Sequence, residues 1–357
     1  MVLSNNQKRK LEHLEVVLKE NVEGPLTTLF EYVFMHHYAA SEVALQEVNL
    51  RTKFLGKYLD APIMITGMTG GAPGTEKINM KLAEVAEEYN IALGVGSQRA
   101  ALENKSLEYT FKVVREKAPT IPIVANIGAS EVVKYDVKVI ERAISMVDAD
   151  ALAIHLNLPQ EYVQPEGKAL IKGFKDKLVE VKDSLNIPII IKEVGFGLSY
   201  FVVKDLRNVG IQYFDISGSG GTNWVLVEMF RARKVGNALK EGIALNLAEW
   251  GIPTAIAIIE ARNAAPDAFI IGSGGIRSAL DALKALRLGA DMVGFARPVL
   301  KALMEGKLRE FLRAFIESLK ALVALTNSRD VHELRRKPVI VTGILKDWIE
   351  SMNLRIP

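Results

Sequence analysis

Four glycine-rich turns in this chain each follow a short apolar run, and the chemistry they offer is backbone N–H groups that can close on an anion. Ile270-Ile271-Gly272-Ser273-Gly274-Gly275-Ile276-Arg277 reads as a strand ending in a glycine turn that opens a helix. Gly289-Ala290-Asp291-Met292-Val293-Gly294-Phe295-Ala296-Arg297 repeats that design one unit later. Ser217-Gly218-Ser219-Gly220-Gly221-Thr222-Asn223-Trp224 and Thr66-Gly67-Met68-Thr69-Gly70-Gly71 are the other two. One Gly/Ser run alone serves equally as a flexible linker. Four in the same place relative to an apolar run predict a shared phosphate-binding rim.

Polar side chains cluster at the ends of other apolar runs. Lys192 closes Ile189-Ile190-Ile191, where a lysine can be an ion-pair partner of Glu193, a Schiff-base nucleophile or a cation beside a cofactor. His155, Asn157, Gln160 and Glu161 fall within seven residues, and Gln164-Pro165-Glu166-Gly167 follows them. A lone histidine is more often a hydrogen-bonded core residue than a catalyst, but here amides and an acid surround it. Glu161 has no second obvious carboxylate, so a Mg²⁺ held by one carboxylate and by substrate phosphates is the economical arrangement. Ser97-Gln98-Arg99 adds a cation, and Arg9, Lys10, Glu12 and His13 fall within about one helical turn near the amino end. That last group alone would read as a solvated helix face. His36-His37 has no nameable partner and reads as structural.

The elements that must position these residues recur about every 30 residues. The apolar runs are Pro62–Thr66, Ile91–Val95, Pro122–Asn126, Ala151–His155, Pro188–Lys192, Gln212–Ser217, Ala268–Gly272 and Asp291–Ala296. They are rich in Val, Ile and Ala without strict alternation, as strands buried on both faces are. Amphipathic stretches lie between them, Lys77–Tyr89 and Ala279–Leu288 among them. Parallel strands need such crossovers, and eight strand–helix units predict an α/β fold, a closed (β/α)₈ TIM barrel. Its chemistry gathers at the carboxyl ends of the strands, so the polar tips converge on one mouth.

The expected organisation is one domain: an extension over 1–60 that covers the barrel and contributes to substrate binding, the barrel over 61–297, and a helical extension over 298–357. Lys8–Val17 reads as a short helix, Glu305–Leu325 as a long one, and Arg335–Lys337 as a basic turn. Gly218–Gly251 is longer than an ordinary βα loop and is a candidate lid.

Composition narrows the function. With 45 basic and 42 acidic residues interleaved, and a net charge of +3, there is no case for nucleic acid. Zero cysteines exclude disulfides, thiolate metal sites, iron–sulfur clusters and cysteine nucleophiles. The polar, basic start is no secretory signal and no apolar run is long enough for a membrane span, so a cytoplasmic protein is expected.

These motifs together resemble type 2 isopentenyl-diphosphate isomerase. The resemblance rests on Arg9-Lys10-x-Glu12-His13-Leu14, Met68-Thr69-Gly70-Gly71, Gly96-Ser97-Gln98-Arg99, Asn126-Ile127-Gly128 and His155-Leu156-Asn157 with Gln160-Glu161. It continues through Gln164-Pro165-Glu166-Gly167, Lys192-Glu193-Val194-Gly195-Phe196-Gly197, Gly220-Gly221-Thr222-Asn223-Trp224 and Trp250-Gly251-Ile252-Pro253-Thr254. It runs in order from about residue 6 to the end of the barrel.

The resemblance implies an FMN enzyme, reduced by NAD(P)H or another donor and using Mg²⁺, that interconverts isopentenyl and dimethylallyl diphosphate. It implies FMN contacts at Thr66, Gly67, Met68, Ser97, Asn126, Lys192, Ser217 and Thr222, with Gly274, Gly275, Ala296 and Arg297 near the flavin phosphate. The substrate diphosphate would meet Arg9, Lys10, His13, Ser97, Gln98, Arg99, His155 and Asn157. Gln160 would sit over the reacting carbons, with Glu228 as the acid that contacts it, and Glu161 would hold Mg²⁺. A homotetramer or homo-octamer is implied as well. The competing readings are an oxidoreductase of the hydroxy-acid oxidase or inosinate dehydrogenase type and a non-catalytic flavin-binding barrel. The first wants a histidine near the seventh strand or a catalytic cysteine, and the sequence has neither.

Overall fold

The computed structural model describes residues 4–167 and 171–357. Eight parallel strands close into a barrel in sequence order. They are β1 (Ile63–Ile65), β2 (Ala92–Gly94), β3 (Ile123–Gly128), β4 (Ala151–His155), β5 (Ile189–Lys192), β6 (Tyr213–Asp215), β7 (Phe269–Ser273) and β8 (Met292–Phe295). β8 closes on β1 with Val293 opposite Ile63 and Phe295 opposite Ile65. All eight predicted runs are strands, mostly trimmed at their ends.

The residue alternation inside each strand sorts side chains into two cores. One set, including Ile63, Ile123, Ile191 and Ile270, packs outward against the helices. The other, with Met64, Val124, Ile190, Ile271 and Met292, fills the barrel interior. A hairpin of the amino-terminal extension, Thr52–Phe54 paired with Lys57–Leu59, plugs the amino ends of the strands. There Phe54 packs 5.0 Å from Phe269 and 6.1 Å from Tyr213, centroid to centroid. The floor is shut, and the opposite mouth is left for chemistry.

Two matching clamps hold that floor, four strands apart. Asp150, just before β4, accepts the Ile123 N–H at 2.9 Å, Arg115 at 2.9 Å and Lys57 at 2.7 Å. Asp291, just before β8, accepts the Ile270 N–H at 2.8 Å, Arg262 at 2.6 Å and Arg335 at 2.7 Å. Both arginines also donate to backbone carbonyls at the starts of neighbouring strands, Arg115 to Ile121 and Arg262 to Ala268. Each aspartate therefore fastens adjacent strands near their starts, its side chain adding to the backbone bond that its own N–H donates to Ile123 or Ile270.

The extensions differ from the sequence reading in three places. Helix α1 spans Asn5–Lys19, longer than expected, because Ser4 and Gln7 form a reciprocal capping box ahead of it. The expected helix over 305–325 begins only at Leu308, because Gly306 takes a φ of +72° and ends the preceding helix, Arg297–Met304. A short strand, Val33–Met35, pairs antiparallel with Val339–Val341 and ties the two ends of the chain together. The span 218–251 is chiefly a pair of helices, α2 (Trp224–Lys234) and α3 (Ala238–Leu247), rather than an open loop. Asn223 caps α2 by accepting from Val225 and Leu226 and reaches the far end of the pair through the Ala248 carbonyl. Among the described residues no helix is long and apolar enough to cross a membrane.

Removing either floor clamp leaves half-buried cations and a strand N–H without their acceptor, so Asp150→Ala and Asp291→Ala should each lower stability by about 1–3 kcal/mol. Urea unfolding of the single and double variants checks this. The two losses should add, since the sites share no partner.

Candidate active site

The carboxyl ends of all eight strands open into one cavity of about 430 Å³. That size is within the range of small-ligand sites. α1 lies across its mouth and contributes Arg9, Lys10, His13, Leu14 and Val17 to the lining. Of the residues singled out from sequence, Thr66, Gly67, Met68, Ser97, Arg99, Asn126, His155, Asn157, Gln160, Glu161, Lys192, Ser217, Thr222, Gly274, Gly275, Ala296 and Arg297 line the same cavity. Segments as distant as residues 9 and 297 therefore share one chamber.

One side of the chamber is glycine backbone at close quarters. A Cβ on Gly67 would lie 2.1 Å from the Val95 carbonyl oxygen, one on Gly274 2.2 Å from that of Gly218, and one on Gly221 2.4 Å from the Gly275 nitrogen. Gly274 and Gly275 take φ values of +95° and +71°, a region that favours glycine. No acceptor among the described residues takes the Gly275 or Ile276 N–H. The Arg297–Met304 helix starts beside them with its own unpaired first-turn amides. This is a cradle for a phosphate, and its residues fit the phosphate end of FMN. The Arg297 side chain is engaged elsewhere: it donates to the carbonyls of Val17 and Glu20 and to Glu23, bolting the end of α1 to the rim.

The other side is cationic. His155 donates from Nδ1 to Asn126 Oδ1 at 2.8 Å, a direction fixed because the Asn126 amide nitrogen donates to the Val95 carbonyl. Burial, then Lys192, Lys10, Arg9 and Arg99, depress the His155 pKa to about 3, so the ring is neutral and Nε2 is an acceptor. It can take a hydrogen bond from water or a protonated oxygen, and donates to a phosphate only after gaining a proton. Lys10 donates to the Ser97 carbonyl at 3.1 Å, and burial followed by repulsion from Arg9 brings its pKa down to about 7. Arg9 is lowered by the same two causes, burial and Arg99. Glu131 and Glu161 are the carboxylates set among these cations, and burial raises the pKa of Glu131.

Lys192 is not paired with the Glu193 carboxylate. Its Nζ donates to the Glu193 backbone carbonyl at 2.7 Å, while the Glu193 carboxylate accepts the amides of Val194, Gly195 and Phe196. Asp215, register partner of Lys192 on β6, is the buried counter-charge; Ser273 donates to it and in turn accepts the Ser217 N–H at 3.1 Å. Burial raises the Asp215 pKa and Lys192 opposes that rise. Ser217 itself has a φ of +41°, a strained value for serine at a rim position.

At the third corner, Gln160 donates to Glu228 Oε1 at 2.8 Å and accepts from Asn157 at 3.2 Å. Asn157 also reaches Glu161 at 3.3 Å. His13 contacts the same Glu228 oxygen at 2.8 Å and stands edge-on to Trp224. Burial opposes ionisation of Glu228, but His13, Arg231 and Gln160 outweigh it and hold its pKa at about 2. Among the described residues no three His, Asp or Glu side chains gather into a metal cage. Glu161 fits a hard cation that completes its shell with ligand oxygens and water.

Two of the expected site residues lie outside the lining. Gln98 is fully buried; its amide donates to the Ala143 carbonyl and accepts the Asn126 N–H. It shapes the wall that carries Asn126 and does not face the diphosphate region. Glu228 is also fully buried and touches Gln160 from behind. Sequence reading missed Glu131, Asp215 and Arg231. An acid three residues into a helix that opens at Gly128 was a usable signal for the first, since the Glu131 carboxylate accepts the Gly128 N–H at 3.1 Å. The other two depend on contacts between distant elements.

The fold is a (β/α)₈ barrel whose strand ends share one cavity, walled by glycine backbone on one side and by cations on the other. The FMN-dependent dehydrogenase family matches residues 171–341. Among solved structures, mandelate oxidase with (S)-mandelic acid superposes with a TM-score of 0.64 at 16% identity, covering 96% of each chain. At that identity the likeness concerns the fold. Isopentenyl-diphosphate delta-isomerase of Ignicoccus hospitalis is 50% identical over 343 residues, 95% of each chain. Those of Sulfurisphaera tokodaii and Aeropyrum pernix are 47% and 45% identical and cover 98% and 97% of this chain, spanning 95% and 93% of their own lengths. The chain belongs to the isopentenyl-diphosphate delta-isomerase family.

With a pKa near 7, Lys10 is largely neutral at pH 8 in the empty site. A polyanion raises that pKa, so binding of inorganic diphosphate at pH 8 should take up protons. Calorimetry in buffers of different ionisation enthalpy reads this directly; Lys10→Gln should lose most of the uptake.

Proposed function

We propose that this chain interconverts isopentenyl and dimethylallyl diphosphate, with FMN in the glycine cradle and the diphosphate on the cationic side. The observation that carries the reading is the joining of two anion sites in a single cavity, one of backbone amides and one of Arg9, Lys10, Arg99 and Lys192 around a neutral histidine. The reaction moves a double bond by adding a proton to the terminal alkene carbon and removing one from the carbon next to the diphosphate-bearing methylene. An alkene is a weak base, and the path develops tertiary cation character. Reduced FMN, when bound, supplies the acid/base face for these proton transfers and negative charge beside the developing cation.

The chain's own residues bind and orient. Arg9, Lys10, Arg99 and Asn157 fix the diphosphate, and Glu161 with the phosphate oxygens holds Mg²⁺. Neutral His155 would accept a hydrogen bond at Nε2 from water beside the diphosphate or, once protonated, donate to a phosphate oxygen. Gln160, its amide set by Glu228 and Asn157, stands over the reacting carbons as a relay or positioning group. Leu14, Val17, Met68 and Trp224 supply apolar lining for the five-carbon group and exclude water from it. Lys192, tied to the strand end, places a cation where it favours an anionic reduced flavin ring.

NAD(P)H or another donor reduces the flavin in this scheme, and the protein works in the cytoplasm. Self-association into a homotetramer or homo-octamer is supported by the exposed apolar side chains Val235, Leu239, Leu245 and Trp250 on and beside α3.

The test is anaerobic incubation of purified protein with FMN, dithionite, Mg²⁺ and isopentenyl diphosphate, with product analysis by NMR. Dimethylallyl diphosphate should form, and should fail to form with oxidised flavin or with Mg²⁺ chelated. Gln160→Ala should lower kcat by about 10²–10³-fold. Full turnover in that variant would remove Gln160 from the relay.

A further inference from the structure

We propose that Arg231, which does not line the cavity, positions the Gln160 amide through Glu228 and is thereby a positioning residue for the double-bond shift. The inference rests on the isomerase reading above. Glu228 is fully buried and meets three polar groups: His13 at 2.8 Å, Gln160 at 2.8 Å and Arg231 at 2.6 Å. The His13 pKa is itself lowered by burial, so His13 contributes a neutral N–H. Arg231 is therefore the one cation hydrogen-bonded to Glu228 among the described residues, with Arg9 acting only at longer range.

The guanidinium is held so that it cannot swing away. Nε donates to Glu12 on α1 at 2.8 Å, Nη2 to Glu166 after the Leu158–Val163 helix at 3.1 Å, and Nη1 to Glu228 on its own helix. One planar fork thus gathers acids from three separate elements, which an ammonium on a flexible stem does poorly. Remove the guanidinium and the buried Glu228–His13 pair loses its hydrogen-bonded cation and takes up a proton, shared between the carboxylate and an imidazole that Arg231 no longer repels. A protonated acid donates from one oxygen. That oxygen is Oε2, which Arg231 has left; Oε1 still accepts from Gln160 and His13, but as part of a neutral acid, so the charge-assisted bond that fixes the Gln160 amide weakens. The amide over the reacting carbons is then loosely held, without any change in the cavity lining.

The test compares Arg231→Met, Arg231→Lys, Glu228→Gln and the Arg231→Met/Glu228→Gln double variant in the anaerobic isomerase assay. Arg231→Met should lose about 10²-fold in kcat, the scale of a misplaced reacting group. Any rise in KM for isopentenyl diphosphate comes from the lost contact with Glu12 on α1 and should be reproduced by Glu12→Gln, which leaves kcat nearly unchanged. Arg231→Lys keeps the charge and should recover part of kcat. In kcat the double variant should be no slower than Glu228→Gln alone, because the arginine reaches Gln160 through that carboxylate. It also removes both buried charges, so it carries the test should Arg231→Met fail to fold. Losses that multiply in the double variant, or an effect on KM alone, overturn the role of Arg231 while wild type remains active. A wild type without isomerase activity refutes the underlying reading, and this inference with it.

Discussion

An excess of positive charge around one chamber, only partly offset by Glu131, Glu161 and Asp215, is the constraint around which this molecule is organised. Lys192, Lys10, Arg9 and Arg99 together help drive His155 to a pKa of about 3. Buried cations repel one another far more strongly than they would in water. Such a cluster persists only if the surrounding fold over-determines it, and it is relieved by whatever anion enters. A diphosphate and a reduced flavin are two such anions. Binding and chemistry then share one electrostatic origin: the charge that recruits the diphosphate also favours the electron-rich form of the cofactor.

The fold supplies that over-determination from opposite ends. At the floor, the Asp150 and Asp291 clamps and the Phe54 plug fix the amino ends of the strands, so the carboxyl ends inherit a rigid geometry. At the mouth, α1 closes the chamber and is itself held at two places, by Arg231 on Glu12 and by Arg297 on the carbonyls of Val17 and Glu20. Arg297 shows how a rim cation serves architecture: its side chain fastens a helix, and the phosphate cradle beside it is left to backbone amides. Gln98 makes the same point, acting on the site by holding Asn126, which in turn sets the tautomer of His155.

Local features of the sequence carry the barrel and most of the rim. Uninterrupted Val/Ile/Ala runs read as strands buried on both faces, and glycine turns at their ends read as backbone approaching an anion, because both signals are written within a few residues. What is written only in three dimensions was missed. The strand pairing of Val33–Met35 with Val339–Val341 joins segments 300 residues apart, and nothing local announces it. Asp215 sits in an ordinary strand, and its meaning comes from Lys192 beside it and Ser273 across from it. Arg231 looks like one of several surface arginines on a helix until Glu12 and Glu166 close around it. The misplaced start of the helix at Leu308 has a simpler cause: an amphipathic pattern continues through Gly306, but a positive φ there breaks the backbone.

The midpoint potential of FMN bound to this protein, measured by anaerobic spectroelectrochemical titration against free FMN in the same buffer, probes that charge most directly. The excess of cations around the chamber should make the bound flavin easier to reduce, so its potential should lie above that of the free cofactor, and adding inorganic diphosphate should pull it back down. A bound potential equal to or below the free value, indifferent to diphosphate, would contradict the account.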